Sequence, residues 1–231
     1  FDIELVQSLP LKHNTPRTHV GFMGCHGALN GLRVAHAFSQ NDPLARVLLC
    51  ATELCSLHYQ YQGGAEQIVA NALFADGSAA LVLGPTEKAV DVWSLRDCGT
   101  EMIKGSQEMM SWRVGNHGFV MTLSSELPAL IEHNVRPIME HWLEAYQLKP
   151  KDIKTWAVHP GGPRILRGFQ QAMNLTHADL AASYHILEQF GNMSSATILF
   201  LIKELMHRKA ELPCVAIGFG PGITIESALF C

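Results

Sequence analysis

The sequence predicts a layered α/β fold, in which short apolar strands alternate with amphipathic helices. Three observations support it: a globular composition, continuous apolar runs typical of buried strands, and glycine-bearing turns that connect strand patterns to helix patterns. Of the 231 residues, 48% are hydrophobic and 16% are charged. That balance supplies a large core and excludes a disordered chain.

The first half of the chain starts with an amphipathic segment in residues 1–20, followed by the turn GFMGCHG. Apolar residues at helical spacing then predict a helix over residues 28–40. The runs RVLLCATE and SAALVL predict buried strands over residues 46–53 and 78–83, because their apolar residues are continuous rather than alternating. A short helix is expected between these strands, at residues 67–74.

The second half repeats the order of strand, turn and helix. A strand is expected at residues 90–97, residues 98–125 look the least regular, and a long amphipathic helix is predicted over residues 127–146. Further helices are expected at residues 164–173, 178–190 and 192–207, and further strands at residues 154–159, 213–218 and 223–230. The repeated order suggests two similar halves, residues 1–90 and residues 91–231.

Charge and cysteine usage exclude several classes of function. The net charge is −4 and no basic stripe is present, so we expect binding neither to nucleic acid nor to a membrane surface. No apolar run is long enough to cross a bilayer. The six cysteines do not show the spacing of a zinc site, and we expect them to be reduced in a cytoplasmic protein without a metal.

Cys25 is the strongest candidate for chemistry. It lies in a glycine-rich turn directly before a predicted helix, where backbone N–H groups and the helix dipole favour a thiolate. The alternative is a buried structural cysteine, which is common at such positions.

Two further candidates lie in comparable turns. His159 ends an apolar strand before the sequence PGGP, and Asn192 lies between Gly191 and a predicted helix. Taken singly, His159 could be a histidine bonded to nearby backbone, and Asn192 could be a helix cap. Together with Cys25 they suit acyl transfer followed by decarboxylation: a thiolate–imidazolium pair would accept the acyl group. N–H donors on His159 and Asn192 would then stabilise an enolate oxygen.

The chain resembles the type III polyketide synthases, the chalcone-synthase-like enzymes, in a microbial form. The resemblance runs through the whole chain, in the segments GFMGCHGALNGLRVAHAF, RVLLCATELCSLHYQ, NALFADGSAALVLG, AVHPGGPRIL, GNMSSATILF and GFGPGITIE. It implies a thiolase-like fold with layers in the order α-β-α-β-α. Family members have a much longer segment before the nucleophile, so we expect a fragment whose fold is incomplete at the N-terminus. Its first sheet would be unpaired and its apolar surface exposed.

The resemblance also implies roles for single residues. Cys25 matches the family's nucleophile and lies in the first half, residues 1–90. His159 and Asn192 match the catalytic His and Asn and lie in the second half, residues 91–231. Phe74 and Met121 match two gatekeepers between a CoA tunnel and the cavity, although many members have Phe at the second position. The other residues expected to contact substrate are Cys55, His58 and Trp112 in the cavity, Ser194 beside Asn192, and Gly161, Gly162 and Arg164 at the tunnel mouth. Ordinary core packing is the alternative for Phe74, Met121 and Trp112.

The reaction that the resemblance implies is an iterative decarboxylative condensation of malonyl-CoA onto an acyl-CoA starter, followed by cyclisation. The expected substrates are acyl-CoA and malonyl-CoA, without a metal or organic cofactor, in a homodimer. Two alternatives stay open: an initiating 3-ketoacyl synthase that uses acyl carrier protein, and a truncated, non-catalytic homologue that binds acyl-CoA.

Overall fold

The computed structural model describes residues 2–61, 64–85, 92–116 and 118–231. In these ranges the helices are α1 (Asp2–Ser8), α2 (Gly27–Asn41), α3 (Ala65–Leu73), α4 (Leu127–Glu144), α5 (Pro163–Met173), α6 (Ala181–Phe190) and α7 (Ala196–His207). The strands are β1 (Val47–Glu53), β2 (Gly77–Leu83), β3 (Leu95–Met102), β4 (Met110–Gly115), β5 (Gly118–Leu123), β6 (Thr155–Val158), β7 (Cys214–Gly220) and β8 (Thr224–Phe230). None of these helices is both long and apolar enough to cross a membrane.

A four-stranded sheet in the order β3-β8-β7-β6 forms the centre of the fold. Strands β6 and β7 are parallel, whereas β7–β8 and β8–β3 are antiparallel. Every residue of β7 is buried. A strand this apolar requires cover on both faces, and the sheet has it.

Helices cover the two faces of this sheet. On one face, α4 and α5 contribute Ile131, Val135 and Phe169 to a core that also contains Ile217 of β7. On the other face, α2 and α7 pack against the sheet through a second core, which contains Leu29 and Leu201 among other residues. The site is lined by residues of α4 and α5 as well as by the turns that precede α2 and α7.

A second sheet, formed by β1 and β2, packs on the far side of α2 and α7. The layers therefore follow the order α-β-α-β, and the predicted α/β thiolase-like class is confirmed. The two strands pair with each other, and within the described residues this sheet has no third strand. The outer edges of the first sheet are therefore unpaired, as the sequence predicts. The prediction of full burial is wrong, because Leu48 and Thr52 of β1 and every second residue of β2 are exposed. Leu48 and Val82, which pair across the sheet, are 38% and 66% exposed.

The segment expected to be the least regular, residues 98–125, contains the second part of β3 and the whole of β4 and β5. Its β4–β5 hairpin pairs Trp112 with Met121 and Met110 with Leu123. The mixture of polar and apolar residues in this segment did not allow the hairpin to be predicted. Short strands depend on their cross-strand partners more than on the intrinsic propensity of their residues. The strand expected at residues 90–97 lies later, at β3, while residues 90–91, where the predicted halves meet, lie outside the described residues.

Candidate active site

Cys25 lies in a short 3-10 turn, Gly24–His26, directly before α2. Gly24 has a φ of +68°, and a methyl group on it would approach Cδ of Pro221 to 2.8 Å. The turn therefore requires glycine on conformational and steric grounds. It holds Cys25 at 5% exposure, facing the interior.

His159 is the first residue after β6. Its backbone N–H donates to the carbonyl oxygen of Ile217 at 2.8 Å, which fixes it to β7. The side chain is 1% exposed, and both ring nitrogens are buried without a hydrogen-bond partner among the described residues. The ring is thus free to bond a substrate or a neighbouring side chain.

Asn192 connects the turn before α7 to the segment that carries Phe74. Its backbone N–H donates to Leu73 at 2.9 Å and its carbonyl accepts from Ala75 at 2.9 Å, which forms a single parallel bridge to Phe74. Because α7 begins at Ala196, Asn192 is not the cap of that helix.

The side chain of Asn192 is oriented by its neighbour. The backbone N–H of Ser194, whose φ is +49°, donates to Oδ1 at 2.9 Å. Since Oδ1 is held in this bond, Nδ2 is directed towards Sγ of Cys25, 4.0 Å away. The amide therefore presents a donor, rather than an acceptor, to the candidate reaction centre.

The three turns converge on one small cavity of about 20 Å³. Cys25, His159 and Asn192 all line it, together with the gatekeeper candidates Phe74 and Met121. The remaining walls are Met110, Leu123, Leu127, Gly161, Ile165 and Phe219. The structure thus brings the predicted catalytic residues together in an otherwise apolar enclosure.

Burial determines the protonation states of the centre. It raises the pKa of Cys25 to about 11; hydrogen bonds from Ser194 and Asn192 lower this pKa, and the negative charge of Glu53 raises it further. Burial, and then the charge of nearby His26, lowers the pKa of His159 to about 3. These two pKa shifts favour a neutral thiol beside a neutral imidazole, whereas the sequence predicts an ion pair.

A larger pocket of about 330 Å³ lies next to this cavity. Cys55, His58 and Trp112, the three predicted cavity residues, all line it. Phe74 and Met121 line both spaces, so these two side chains form the partition between them. This is the position that a gate would occupy.

Aromatic contacts shape the larger pocket. The ring of Trp112 packs edge-on against Phe74, with centroids 5.9 Å apart, and against Phe119 at 6.1 Å. Nδ1 of His58 accepts the backbone N–H of Phe119 at 3.2 Å, which fixes the imidazole to β5. Burial raises the pKa of Cys55 to about 12, with smaller contributions from Glu53 and Cys25, so this thiol lies near the nucleophile.

The predicted tunnel-mouth residues have different surroundings. Gly161 lines the small cavity. Gly162, with a φ of +150°, precedes α5 and faces Leu73, while Arg164 is exposed and donates to the carbonyl of Ser125 at 3.1 Å. Their role at a tunnel mouth stays a prediction.

Sequence reasoning missed two polar side chains of this site. Glu53, at the end of β1, accepts hydrogen bonds from the hydroxyl and the backbone N–H of Ser195. His26, next to the nucleophile, is buried and bonds Asn30 through Nδ1 at 2.7 Å. The sequence features that could have identified them are a carboxylate at the end of a predicted strand, for Glu53, and a histidine adjacent to the candidate nucleophile, for His26. Within the described ranges, no group of His, Cys, Asp or Glu side chains could hold a metal ion.

Comparison with known sequences agrees with this geometry. The profile of "Chalcone and stilbene synthases, C-terminal domain" matches residues 94–231, and the profile of the N-terminal domain of the same family matches residues 1–87. The chain belongs to the chalcone and stilbene synthase family.

Individual relatives show the same membership. The chain is 31% identical to "Alpha-pyrone synthesis polyketide synthase-like Pks18" of Mycobacterium tuberculosis, covering 99% of this chain and 60% of that protein. It is 34% identical to "Type III polyketide synthase C" of Arabidopsis thaliana, over 99% and 62% of the two chains. The crystal structure of PKS-I from the brown alga Ectocarpus siliculosus superposes with a TM-score of 0.95 at 29% identity, covering 99% of this chain and 64% of that one. The chain therefore spans about three fifths of the length of these relatives.

Proposed function

We propose that the chain carries the reaction centre of a type III polyketide synthase, which condenses malonyl-CoA onto an acyl-CoA starter through a thioester on Cys25. One observation carries this proposal: Nδ2 of Asn192 is directed at Sγ of Cys25 in a small, mostly apolar cavity that is also lined by His159, whose ring nitrogens have no hydrogen-bond partner among the described residues. A nucleophile beside two N–H donors is the arrangement that acyl transfer and enolate formation need.

In the proposed loading step, Cys25 attacks the thioester carbon of the starter. Because the resting thiol is neutral, His159 takes its proton as the C–S bond forms and returns it to the departing CoA sulfur. A neutral imidazole is the form that can accept this proton, and burial keeps His159 in that form at neutral pH. Loading therefore proceeds without net uptake of a proton.

In the proposed extension step, malonyl-CoA loses CO2 and becomes an enolate. Its oxygen would accept hydrogen bonds from Nδ2 of Asn192 and from the ring N–H of His159. Such donors are most effective in a dry cavity, where no water competes and the dipoles are already oriented. The enolate carbon then attacks the acyl group on Cys25, and the lengthened chain returns to Cys25 for another cycle or cyclises.

The partition between the two spaces supports a gate and a growth chamber. Phe74 and Met121 would admit the thioester to Cys25, and the 330 Å³ pocket would hold the growing chain. That volume is at the lower end of ligand pockets, which range from about 300 to 1,000 Å³. The indole of Trp112 occupies one wall, so we propose a short product.

The substrates and assembly follow from family membership as proposals. Acyl-CoA and malonyl-CoA would supply all the reacting groups, so the reaction would need no metal or organic cofactor. We propose a homodimer, which analytical ultracentrifugation can test.

The decisive experiment compares wild type with Cys25→Ala and Cys25→Gln. Cys25→Ala should abolish condensation of an acyl-CoA with malonyl-CoA, measured by mass spectrometry of the products. Cys25→Gln should retain CO2 release from malonyl-CoA, since its carbonyl imitates the acyl-enzyme. Cys231→Ala, at an exposed cysteine, is the control and should behave as wild type.

Condensation by Cys25→Ala would refute the proposal. Activity of the wild type with malonyl-acyl carrier protein but not with malonyl-CoA would instead identify an initiating ketoacyl synthase. Binding of acyl-CoA without acylation of Cys25 would identify a non-catalytic homologue.

A further inference from the structure

The outer edge of strand β5 is held by two side chains instead of a third strand. Within the described residues, β4 and β5 form a two-stranded sheet, so one edge of β5 has no strand beside it. At that edge, the backbone N–H of Phe119 donates to Nδ1 of His58 at 3.2 Å, and its carbonyl oxygen accepts from Nε2 of Gln60 at 3.3 Å. His58 and Gln60 therefore satisfy backbone groups that an edge strand leaves unpaired.

The backbone of Gly118, just before Phe119, makes room for this contact. Its φ is +108°, and a methyl group on it would come within 2.8 Å of Nδ1 of His58. Glycine alone combines this backbone conformation with the space that the imidazole needs. The ring of His58 also packs against the ring of Phe119, with centroids 5.0 Å apart. Polar and aromatic contacts thus attach the turn that carries His58 to the same point of β5.

Asn71 of α3 holds the backbone of Gln60. Nδ2 of Asn71 donates to the carbonyl oxygen of Gln60 at 2.7 Å, and the N–H of Gln60 donates to Oδ1 of Asn71 at 3.4 Å. Nε2 of Gln67 donates to the same Oδ1 at 2.9 Å, so both ends of the Asn71 amide are engaged. Gln60 consequently bonds α3 through its backbone and β5 through its side chain.

These contacts join three walls of the 330 Å³ pocket. We call the side chains of His58, Gln60 and Asn71 the Gln60 network. Helix α3 ends directly before Phe74, the Cys55–His58 turn contributes Cys55, and the β4–β5 hairpin contributes Trp112 and Met121. Gln60 is not one of the described residues that line this pocket, so it would act through residues that do.

We propose that Gln60 is a positioning residue, which fixes the hairpin relative to Phe74 and thereby limits the length of the acyl chain that the outer pocket accepts. This inference rests on the condensation reaction proposed above. The edge-on packing of Trp112 on Phe74 brings the hairpin to this wall. The hydrogen bonds to Phe119 are more directional, so they fix the register of the hairpin along the wall. Without them the pocket would accept chains of several lengths.

The first measurement does not depend on catalysis. Cys55 lines the pocket and lies in the turn that the Gln60 network holds, so its rate of alkylation by N-ethylmaleimide reports opening of this wall. Gln60→Met keeps the length of the side chain and removes its bonds to the carbonyl oxygens of His58 and Phe119. Alkylation of Cys55, followed by peptide mass spectrometry, should become roughly threefold to tenfold faster, the effect of one lost hydrogen bond. Gln189→Met, at an exposed position of α6, is the matched control and should change nothing.

The second measurement identifies the products formed from an acyl-CoA starter and malonyl-CoA by mass spectrometry. Gln60→Met should form products of several chain lengths, including heavier ones than wild type, while acylation of Cys25 by the starter should not slow. Gln60→Lys supplies an ammonium donor to the same two carbonyl oxygens and should restore the wild-type products.

A variant at the other end of the network tests whether its members act together. Asn71→Asp keeps the size of the side chain but replaces the donor to the carbonyl of Gln60 by an acceptor. It should reproduce the effects of Gln60→Met. The double variant should be no more affected than either single variant, because both changes break one network.

The outcomes separate the two proposals. If wild type forms no product, the proposed function fails, and the specificity role of Gln60 fails with it. If wild type forms product, an unchanged alkylation rate of Cys55 or an unchanged product pattern in Gln60→Met overturns the inference. An equal loss of loading and product formation in Gln60→Met and Gln60→Lys also overturns it, because it indicates general damage to the fold. Faster alkylation and mixed products in Gln60→Met, both reversed in Gln60→Lys, support it.

Discussion

The resting protonation state of Cys25 can be measured directly by alkylation. With a pKa of about 11, only about one thousandth of Cys25 is thiolate at pH 8, and this fraction rises about tenfold with each pH unit. Iodoacetamide reacts with the thiolate. The rate of alkylation of Cys25 should therefore keep rising with pH up to about pH 11, without a plateau near neutrality.

Peptide mass spectrometry after timed alkylation gives this rate for each cysteine separately. Cys231, which is exposed, reports the activity of the reagent in the same sample. Glu53→Gln removes a negative charge that raises the pKa of Cys25, so its profile should move to lower pH. His159→Asn should leave the slope of the profile unchanged, because a neutral imidazole contributes little to a neutral thiol.

An alkylation rate that stops rising near neutral pH would contradict this prediction. An ion pair between Cys25 and His159 would give an alkylation rate that levels off near or below neutral pH, and His159→Asn would then abolish that plateau. Such a profile would refute the neutral pair and the proton balance derived from it.

Three further predictions concern the same centre. Asn192→Ala should lower CO2 release from malonyl-CoA by about 10²-fold, the usual effect of removing one oxyanion donor, while acylation of Cys25 persists; unchanged CO2 release would contradict its role. Trp112→Ala should enlarge the outer pocket and yield heavier products by mass spectrometry, whereas Val114→Ala, at an 87% exposed position of the same strand, should leave the products unchanged; an unaltered product from Trp112→Ala would show that the indole does not limit chain length. In the folded protein His159 stays neutral down to about pH 3, whereas in the unfolded chain it gains a proton below about pH 6.5. As the pH is lowered between these two values, the free energy of unfolding should therefore decrease by about 1.4 kcal/mol per pH unit. His159→Asn should show a smaller slope in denaturant titrations, and equal slopes would contradict the burial of a neutral imidazole.

The sequence singled out three residues that the fold brings to one cavity, Cys25, His159 and Asn192, and their catalytic roles stay a prediction. Cys25, His159 and Asn192 each lie in a short turn whose glycines and neighbours are adjacent in the chain, so residue type and position indicate the role. The layered α/β class was predictable for a similar reason, since the apolar run of β7 reflects burial on both faces. Family resemblance added Phe74 and Met121, which line both cavities.

Properties that arise from contacts between distant segments were not predictable. A continuous apolar run predicts a buried strand, but it does not show whether other elements cover both faces of the sheet. The exposure of one face of the β1–β2 sheet was therefore not predictable from the sequence. The neutral state of Cys25 depends on its complete burial and on the charge of Glu53, 28 positions later in the chain. A helix N-terminus favours a thiolate by a modest amount, whereas complete desolvation opposes it more strongly.

The single bridge between Phe74 and Asn192 connects the proposed gate to the proposed reaction centre. Asn192 is held by backbone bonds to Leu73 and Ala75, on either side of Phe74, and its amide is in turn directed at Cys25. A movement of the Phe74 backbone would therefore move the amide that we propose as the donor to the enolate. Phe74 also packs against Trp112. The residue proposed to limit the size of the pocket and the residue proposed to assist decarboxylation therefore both contact the Phe74 segment. Variants of Trp112 that displace Phe74 should consequently change the rate of CO2 release as well as the product, whereas variants that only enlarge the pocket should change the product alone.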